Sequence, residues 1–270
     1  MIGASRASAA AASEVLVARS GQAGFDALGG ELLSVATLLA SSSQLRGVIA
    51  DTQRDPDERR AVTLSMLGGR VSELAADVVA DVAALRWSRP RDLVDTVENL
   101  GVAATLMVAE ADGRADNVED ELFRVERLVA SDRDLAEALT APAVDDGAKA
   151  DLLAGILGGK VSTETVALVR HVIAHPRGRR PQRALAELVT AAAERRERLL
   201  AKVRAIAPLT DEQHQRLAAV LGRIYGRAVD LQVQIDPDIR GGVIVQIGDD
   251  VIDASVAHRL NNIRRLMGAN

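Results

Sequence analysis

The sequence predicts a mainly α protein: two tandem helical-bundle domains, residues 1–94 and 95–202, followed by a small α/β C-terminal module at 203–270. Three observations carry this. Hydrophobic residues make up 48% of the 270 but aromatic ones only 1%, so any core must be aliphatic and alanine-rich, a composition that suits helical bundles. A helical pattern repeats at a constant offset through the first two hundred residues. Near the C-terminus the hydrophobic period changes from helical to two.

The repeat is read directly from the letters. Leu67-Gly68-Gly69-Arg70-Val71-Ser72 recurs 90 residues later as Leu157-Gly158-Gly159-Lys160-Val161-Ser162. At the same offset Glu31-Leu32 matches Glu121-Leu122, Val35 matches Val125, Leu45 matches Leu135, and Leu38-Leu39-Ala40-Ser41 pairs with Leu128-Val129-Ala130-Ser131. Leu16-Val17 pairs with Leu106-Met107. A constant offset across several helices argues for duplication of a whole domain. Apolar stripes such as Leu122, Val125, Leu128 and Leu152, Ile156 have helical spacing. Each copy also has a basic, proline-containing turn before its last helix: Arg86-Trp87-Ser88-Arg89-Pro90-Arg91 in copy one, and His175-Pro176-Arg177-Gly178-Arg179-Arg180-Pro181 in copy two. The last helix of copy two, 182–202, has no Gly or Pro and is expected to run straight into a strand at 203–206.

In the C-terminal stretch, Thr210 can cap a helix start and Gln213 can reach back to it, a capping box with Asp211 and Glu212 in the first turn. Leu217, Val220, Leu221 and Ile224 follow as one stripe, and Gly226 ends the helix. Val229, Leu231, Val233 and Ile235 then alternate with polar residues, a strand with one buried face. Asp236-Pro237 breaks it, Gly241-Gly242 marks a turn, and a second alternating run holds Val243, Val245 and Ile247. Gly248-Asp249-Asp250 turns into Val251-Ile252, and Ser255 can open a last helix carrying Val256, Leu260, Ile263 and Met267.

This stretch resembles the C-terminal signature of the delta subunit of F-type ATP synthases, the bacterial counterpart of the oligomycin-sensitivity-conferring protein. The resemblance rests on Pro208, Leu209, Thr210, Glu212 and Gln213 at the helix start, then Asp236, Pro237, Gly241 and Gly242. Val245, Ile247, Gly248, Asp249, Asp253 and Ser255 complete it. Ala207 directly before Pro208, Arg240 and Ala254 depart from the family pattern in local turns. Copy two with the C-terminal module, 95–270, resembles the usual family unit; copy one is extra, an arrangement similar to that of actinobacterial delta subunits. The resemblance implies a non-catalytic stator subunit that joins the catalytic head to the peripheral stalk of a proton-translocating synthase. It further implies contacts with the N-terminal segments of the alpha subunits and with a separate b-type stalk subunit. No cofactor is expected, and membrane association only through the complex, at the cytoplasmic face of the plasma membrane. Those motif residues are expected to be structural or partner-binding. The competing reading is a helical adaptor without enzymatic activity.

The remaining candidates are weighed on their chemistry. The formal net charge is −5, which makes the chain a poor nucleic-acid binder, and the four aromatics are scattered. With no cysteine, disulfides and thiol chemistry are excluded. Glu14 and Arg19 interrupt the alanine-rich start, so no signal peptide is expected, and the uncharged run 32–45 is short of the about 20 residues a membrane span needs. A soluble, cytoplasmic chain is expected. His171 and His175 have i, i+4 spacing for two metal ligands, yet no third ligand is evident, and they are expected to be surface or turn residues. Gly158-Gly159-Lys160 lacks the glycine and hydroxyl of a phosphate loop, since Ala154 and Val161 stand there. The acidic segment 112–120 has its glycine in the wrong place for an EF-hand. The arginine turn 177–183 and the charged run 194–198 are expected to be solvated surfaces.

Overall fold

Three pairs of helix-capping side chains, each pair 90 residues apart, lay out the first 196 residues. Ser42 accepts from Leu45 N and Asp132 from Leu135 N; Asp55 accepts from Glu58 N and Asp145 from Ala148 N; Ser72 accepts from Ala75 N and Ser162 from Thr165 N. The computed structural model describes residues 3–196, 199–207, 209–226, 229–236, 239, 241–247 and 250–253. They form two compact units, 1–196 and 197–270.

The first unit is all helix: α1 (Ala4–Val17), α2 (Phe25–Ser41), α3 (Ser43–Ile49), α4 (Pro56–Leu67), α5 (Glu73–Ala84), α6 (Pro90–Ala111), α7 (Ala115–Ser131), α8 (Arg133–Thr140), α9 (Asp146–Leu157), α10 (Thr163–Ala174) and α11 (Pro181–Arg196). Helices α2, α4 and α5 superpose in number on α7, α9 and α10 at the 90-residue offset. The repeat explains two identities that periodicity leaves bare. Glu31 accepts from Ser72 N at 2.8 Å and from its hydroxyl at 2.5 Å, while Glu121 accepts from Ser162 N at 2.8 Å and from its hydroxyl at 2.7 Å. In both copies a carboxylate on the second helix ties down the start of the fifth. Both basic turns end as expected, with Pro90 and Pro181 opening α6 and α11.

No break in the chain separates the copies. Helix α6 is 22 residues long. Its start matches α11, and its continuation matches α1: the buried positions Ser8, Ala12 and Leu16 of α1 correspond to buried Glu98, Val102 and Leu106. One hydrophobic core gathers α1–α5 with the first half of α6; the other gathers the second half of α6 with α7–α11, and takes in Leu33 from α2. The helices α2 and α6 cross at two glycines. A Cβ on Gly29 would stand 2.9 Å from Thr105 N, and one on Gly101 would stand 2.8 Å from Leu33 Cγ. Only glycine lets the backbones approach so closely.

In the second unit, β1 (Leu199–Ala205), α12 (Asp211–Tyr225), β2 (Val229–Ile235), β3 (Val243–Ile247) and β4 (Asp250–Asp253) form a sheet of order β2-β1-β3-β4 with one helix. β1 pairs parallel with β2 through the α12 crossover, and antiparallel with β3. Val203, Leu221, Val229, Val245 and Ile247 make its core.

Four expectations need correction. Helix α11 does not run to residue 202: it ends at Arg196, and the strand begins at Leu199, where 199–205 pair residue by residue with 229–235. In α9, Leu152 and Ile156 face outward, and the buried stripe is Lys149, Leu153 and Leu157. That helix is apolar on several sides, so either stripe fits its letters. Ile224 is exposed because Leu217, Leu221 and Tyr225 are the residues that reach the core. Ile235 is exposed as the last residue of an edge strand. The proposed last helix at 256–267 lies outside the described residues.

The crossing makes a paired prediction within one helix. Gly30 has open space around its would-be Cβ. Gly30→Ala is expected to stabilise the chain by about 0.5–1 kcal/mol through helix propensity. Gly29→Ala is expected to destabilise it by about 1–3 kcal/mol through overpacking. Urea unfolding of the two variants checks the opposite signs; equal gains would refute the close crossing.

Candidate functional site

The family-pattern residues of the C-terminal unit come out as fold-makers. Thr210 and Gln213 form the reciprocal capping box, with Gln213 N to Thr210 Oγ1 at 3.3 Å and Thr210 N to Gln213 Oε1 at 3.0 Å. Leu209 packs on the core and Glu212 is exposed. Asp236 N donates to Ala205 O at 2.8 Å, and the Asp236 carboxylate accepts from Arg204, closing the far end of β1 against β2. Gly241 and Gly242 have φ of 99° and 81°, the left-handed region that turns the chain into β3. Val245 and Ile247 are core residues, and Asp253 ends β4. Pro208, Pro237, Gly248, Asp249 and Ser255 lie outside the described residues. The structure therefore brings the described ones among these residues to caps, turns and core of one small sheet.

Among the described residues, a cluster of paired charges lies elsewhere, on α6. Helix α6 carries Asp95 and Glu98 where it passes from one copy to the other. The turn between α10 and α11 reaches back to both. Arg177 donates to Glu98 Oε2 at 2.5 Å and also to Asp95; Arg179 donates to Glu98 Oε1 at 2.9 Å. His171 Nε2 lies 3.2 Å from Glu98 Oε1, and Arg91 donates to Arg177 O at 3.1 Å. Arg177 has a positive φ of 49°, the one non-glycine residue among those described to do so. The turn is held in that conformation by the carboxylates it serves. Beside it the residues Arg91, Asp95, Arg180 and Glu187 line an open hollow of about 670 Å³.

Two expectations change here. The 177–183 turn is not merely solvated, because Arg177 is 13% and Arg179 23% exposed and both are paired. His171 is not a surface residue, since its side chain is 10% exposed against Glu98. In the 194–198 run, Arg195 pairs with Glu110 at 2.9 Å, joining α11 to the end of α6. The signal available in sequence was the set of acids on α6 facing a basic turn about 80 residues on, and periodicity alone does not pair them.

Burial alone pushes the Glu98 carboxyl up, but the His171 hydrogen bond and the Arg177 and Arg179 charges outweigh it and hold it at about 2. The ordinary value is 4.5, so the folded-state pKa is depressed. The stabilisation is thus complete above that ordinary value and is lost as pH falls from there towards about 2. Chemically the site offers no nucleophile with a base. What it does is fasten one helix to one turn.

The comparisons with known proteins bear on the whole chain. The family described as ATP synthase delta (OSCP) subunit matches residues 102–267. The ATP synthase subunit delta of Streptomyces coelicolor is 42% identical over 271 aligned residues, covering 100% of this chain and 99% of that protein. That of Streptomyces griseus is 41% identical over 99% of each. That of Kineococcus radiotolerans is 42% identical over 97% of this chain and 96% of the relative. The similarity extends through copy one, which the family description leaves out.

The ion cluster yields a pH prediction. Glu98→Gln is expected to cost about 3 kcal/mol at pH 7, the free-energy equivalent of a depression from 4.5 to about 2. The difference from the unsubstituted chain should shrink between pH 5 and pH 3, where the unfolded chain's carboxyl protonates while the native Glu98 stays ionised. Urea titrations at each pH measure it; a constant gap down to pH 3 would count against the cluster.

Proposed function

The chain belongs to the ATP synthase delta (OSCP) subunit family, and from that premise we propose how its parts are divided between partners. It is a non-catalytic stator subunit of the F-type ATP synthase, associated with the membrane-bound complex, and links the catalytic head to the peripheral stalk so that rotor torque drives ATP synthesis. The task is to hold against a load, which requires stiffness.

The proposal assigns copy two, 95–196, to the N-terminal segments of the alpha subunits. It assigns the C-terminal module, 197–270, to a b-type stalk subunit at the cytoplasmic face of the membrane. Copy one, 1–94, braces the stalk or a neighbouring head subunit. What supports assigning copy two to the head is that the family match begins at residue 102, inside α6, and spans copy two with the C-terminal module. An amphipathic segment laid in a groove between helices is the mode of contact that such a bundle serves. The motif residues Leu209, Thr210, Gln213, Asp236, Gly241 and Gly242 then act by keeping the C-terminal sheet in shape for the stalk.

The observation that carries the proposal is α6 itself, a single 22-residue helix common to both copies. A connector under torque gains from having no linker between its parts, and here none interrupts 90–111. Co-elution with the purified catalytic head tests the assignment. The intact chain is expected to bind at one copy per head and to be lost when the alpha N-terminal segments are clipped. Binding that survives clipping would refute copy two's assignment.

A further inference from the structure

The internal repeat allows a core position in one copy to be read against its counterpart 90 residues away. Thr63 on α4 is 1% exposed, and Leu153 at the same place on α9 is 0% exposed. A threonine is smaller than a leucine, and its hydroxyl is used locally: Oγ1 donates to Arg59 O at 2.7 Å. Neighbouring side chains do not close the space. Thr63 lines a hollow of about 330 Å³ between α2, α3 and α4, walled by Leu38, Leu45, Ile49 and Leu67. Two of those walls stand more open than in copy two. Leu45 is half-buried where Leu135 is 8% exposed, and Leu38 is exposed where Leu128 is partly buried against its core.

The rim of the hollow carries one charge. Arg70 and Ser65 line it, and both are exposed. Among the described residues the Arg70 guanidinium has no hydrogen-bond or ion-pair partner. Its counterpart Lys160 is engaged, donating to Ile156 O at 3.1 Å. An apolar interior with a single free cation at its mouth suits a ligand with an apolar body and one negative charge. A carboxylate can take the guanidinium in a two-pronged hydrogen bond and accept another from the Ser65 hydroxyl. A phosphate ester or a nucleotide would bring more charge than one arginine matches. Taking the about 30 Å³ that a water molecule occupies in the liquid, the hollow has room for roughly ten groups of that size, the bulk of a medium-chain fatty acid.

We propose that copy one binds a free medium-chain fatty acid in this hollow, its chain packed against Thr63, Leu45 and Ile49 and its carboxylate on Arg70. Copy two supplies the apolar group at this place from its own chain, as Leu153; copy one takes it from a ligand. Filling the hollow removes its apolar walls from water and restores the contacts that an empty space denies them. A ligand that binds only the folded chain stabilises it by mass action, so occupancy tightens the end of copy one formed by α2, α3 and α4. The site shares no residue with the Glu98 cluster or with the family-pattern residues, and it does not depend on the stator reading.

The probe is decanoate, titrated into the full chain by calorimetry, and one molecule is expected to bind per chain. Thr63→Leu puts the copy-two side chain into the space. It is expected to weaken binding about tenfold or more and to raise the urea midpoint of the free chain. Arg70→Ala should weaken decanoate about fivefold and leave decanol unchanged, since the alcohol has no charge to lose. No binding, or binding that Thr63→Leu leaves intact, overturns the proposal. Should Thr63→Leu fail to fold, the arginine comparison decides: equal losses for acid and alcohol, or no loss for either, overturn it. Vesicles of anionic phospholipid separate the two sources of such a chain. Sedimentation with them that Thr63→Leu abolishes would assign the hollow to a membrane lipid and overturn the free acid.

Discussion

Everything in the helical unit depends on how closely α2 can approach α6. The approach is set by Gly29 on one helix and Gly101 on the other, where any Cβ would meet backbone or a packed leucine. Because the helices touch there, Leu33 leaves the core of its own copy and enters the next. Two bundles that could have been beads on a string are thereby one packed body, with α6 as the shared member. The alanine-rich, aromatic-poor composition follows from the same constraint. Small side chains let helices lie close, and stiffness comes from many close contacts between rigid elements.

The two copies keep the same joints but build them from different chemistry. In both, the first helix is tied to the turn after the fifth. In copy one Ser8 donates to Arg86 O at 2.6 Å, and Trp87 fills the turn, its indole donating to Val82 O at 2.9 Å. At the corresponding positions copy two has Glu98 and Arg177, joined as an ion pair. The exchange is coupled: a carboxylate in place of Ser8 would be stranded beside Trp87, and Arg177 would be stranded without Glu98. In copy one the joint is made by serine hydroxyls, with Ser5 also donating to the Asp92 carboxylate that Arg89 pairs. The ionic one sits midway along α6, where load crosses between copies, and it adds Asp95, Arg179 and Arg91 to the same fastening.

What was legible in the sequence was whatever repeats or punctuates. The 90-residue offset gave both bundles, the proline turns gave the starts of α6 and α11, and the capping box and the left-handed Gly226 gave α12. Choices between equivalent apolar positions were illegible. In α9 and α12 the letters allow two neighbouring stripes, and Leu153 rather than Leu152, and Tyr225 rather than Ile224, face inward. Pairings between distant charges were illegible too. Glu98 and Arg177 stand 79 residues apart with nothing local to link them, so each reads as surface. The residues that the family pattern highlights include ones with strict backbone duties, such as Gly241 and Gly242. Surface positions that meet a partner leave no such trace.

Stator duty explains why the buried charges are placed as they are. A hydrophobic contact resists separation but is indifferent to small sliding, because it is non-directional. Ion pairs with defined hydrogen bonds fix register as well as distance. Along α6 the chain places them where sliding would matter. Asp95 and Glu98 hold the turn of copy two in the middle of the helix, and Glu110 holds α11 through Arg195 at its end. Between those points, Val102 and Leu106 belong to the apolar second core. Helix α6 is thus pinned at two levels against α11 and its turn, and crossed by α2 between them. The two copies are therefore joined both by the continuous helix α6 and by the crossing of α2 on it.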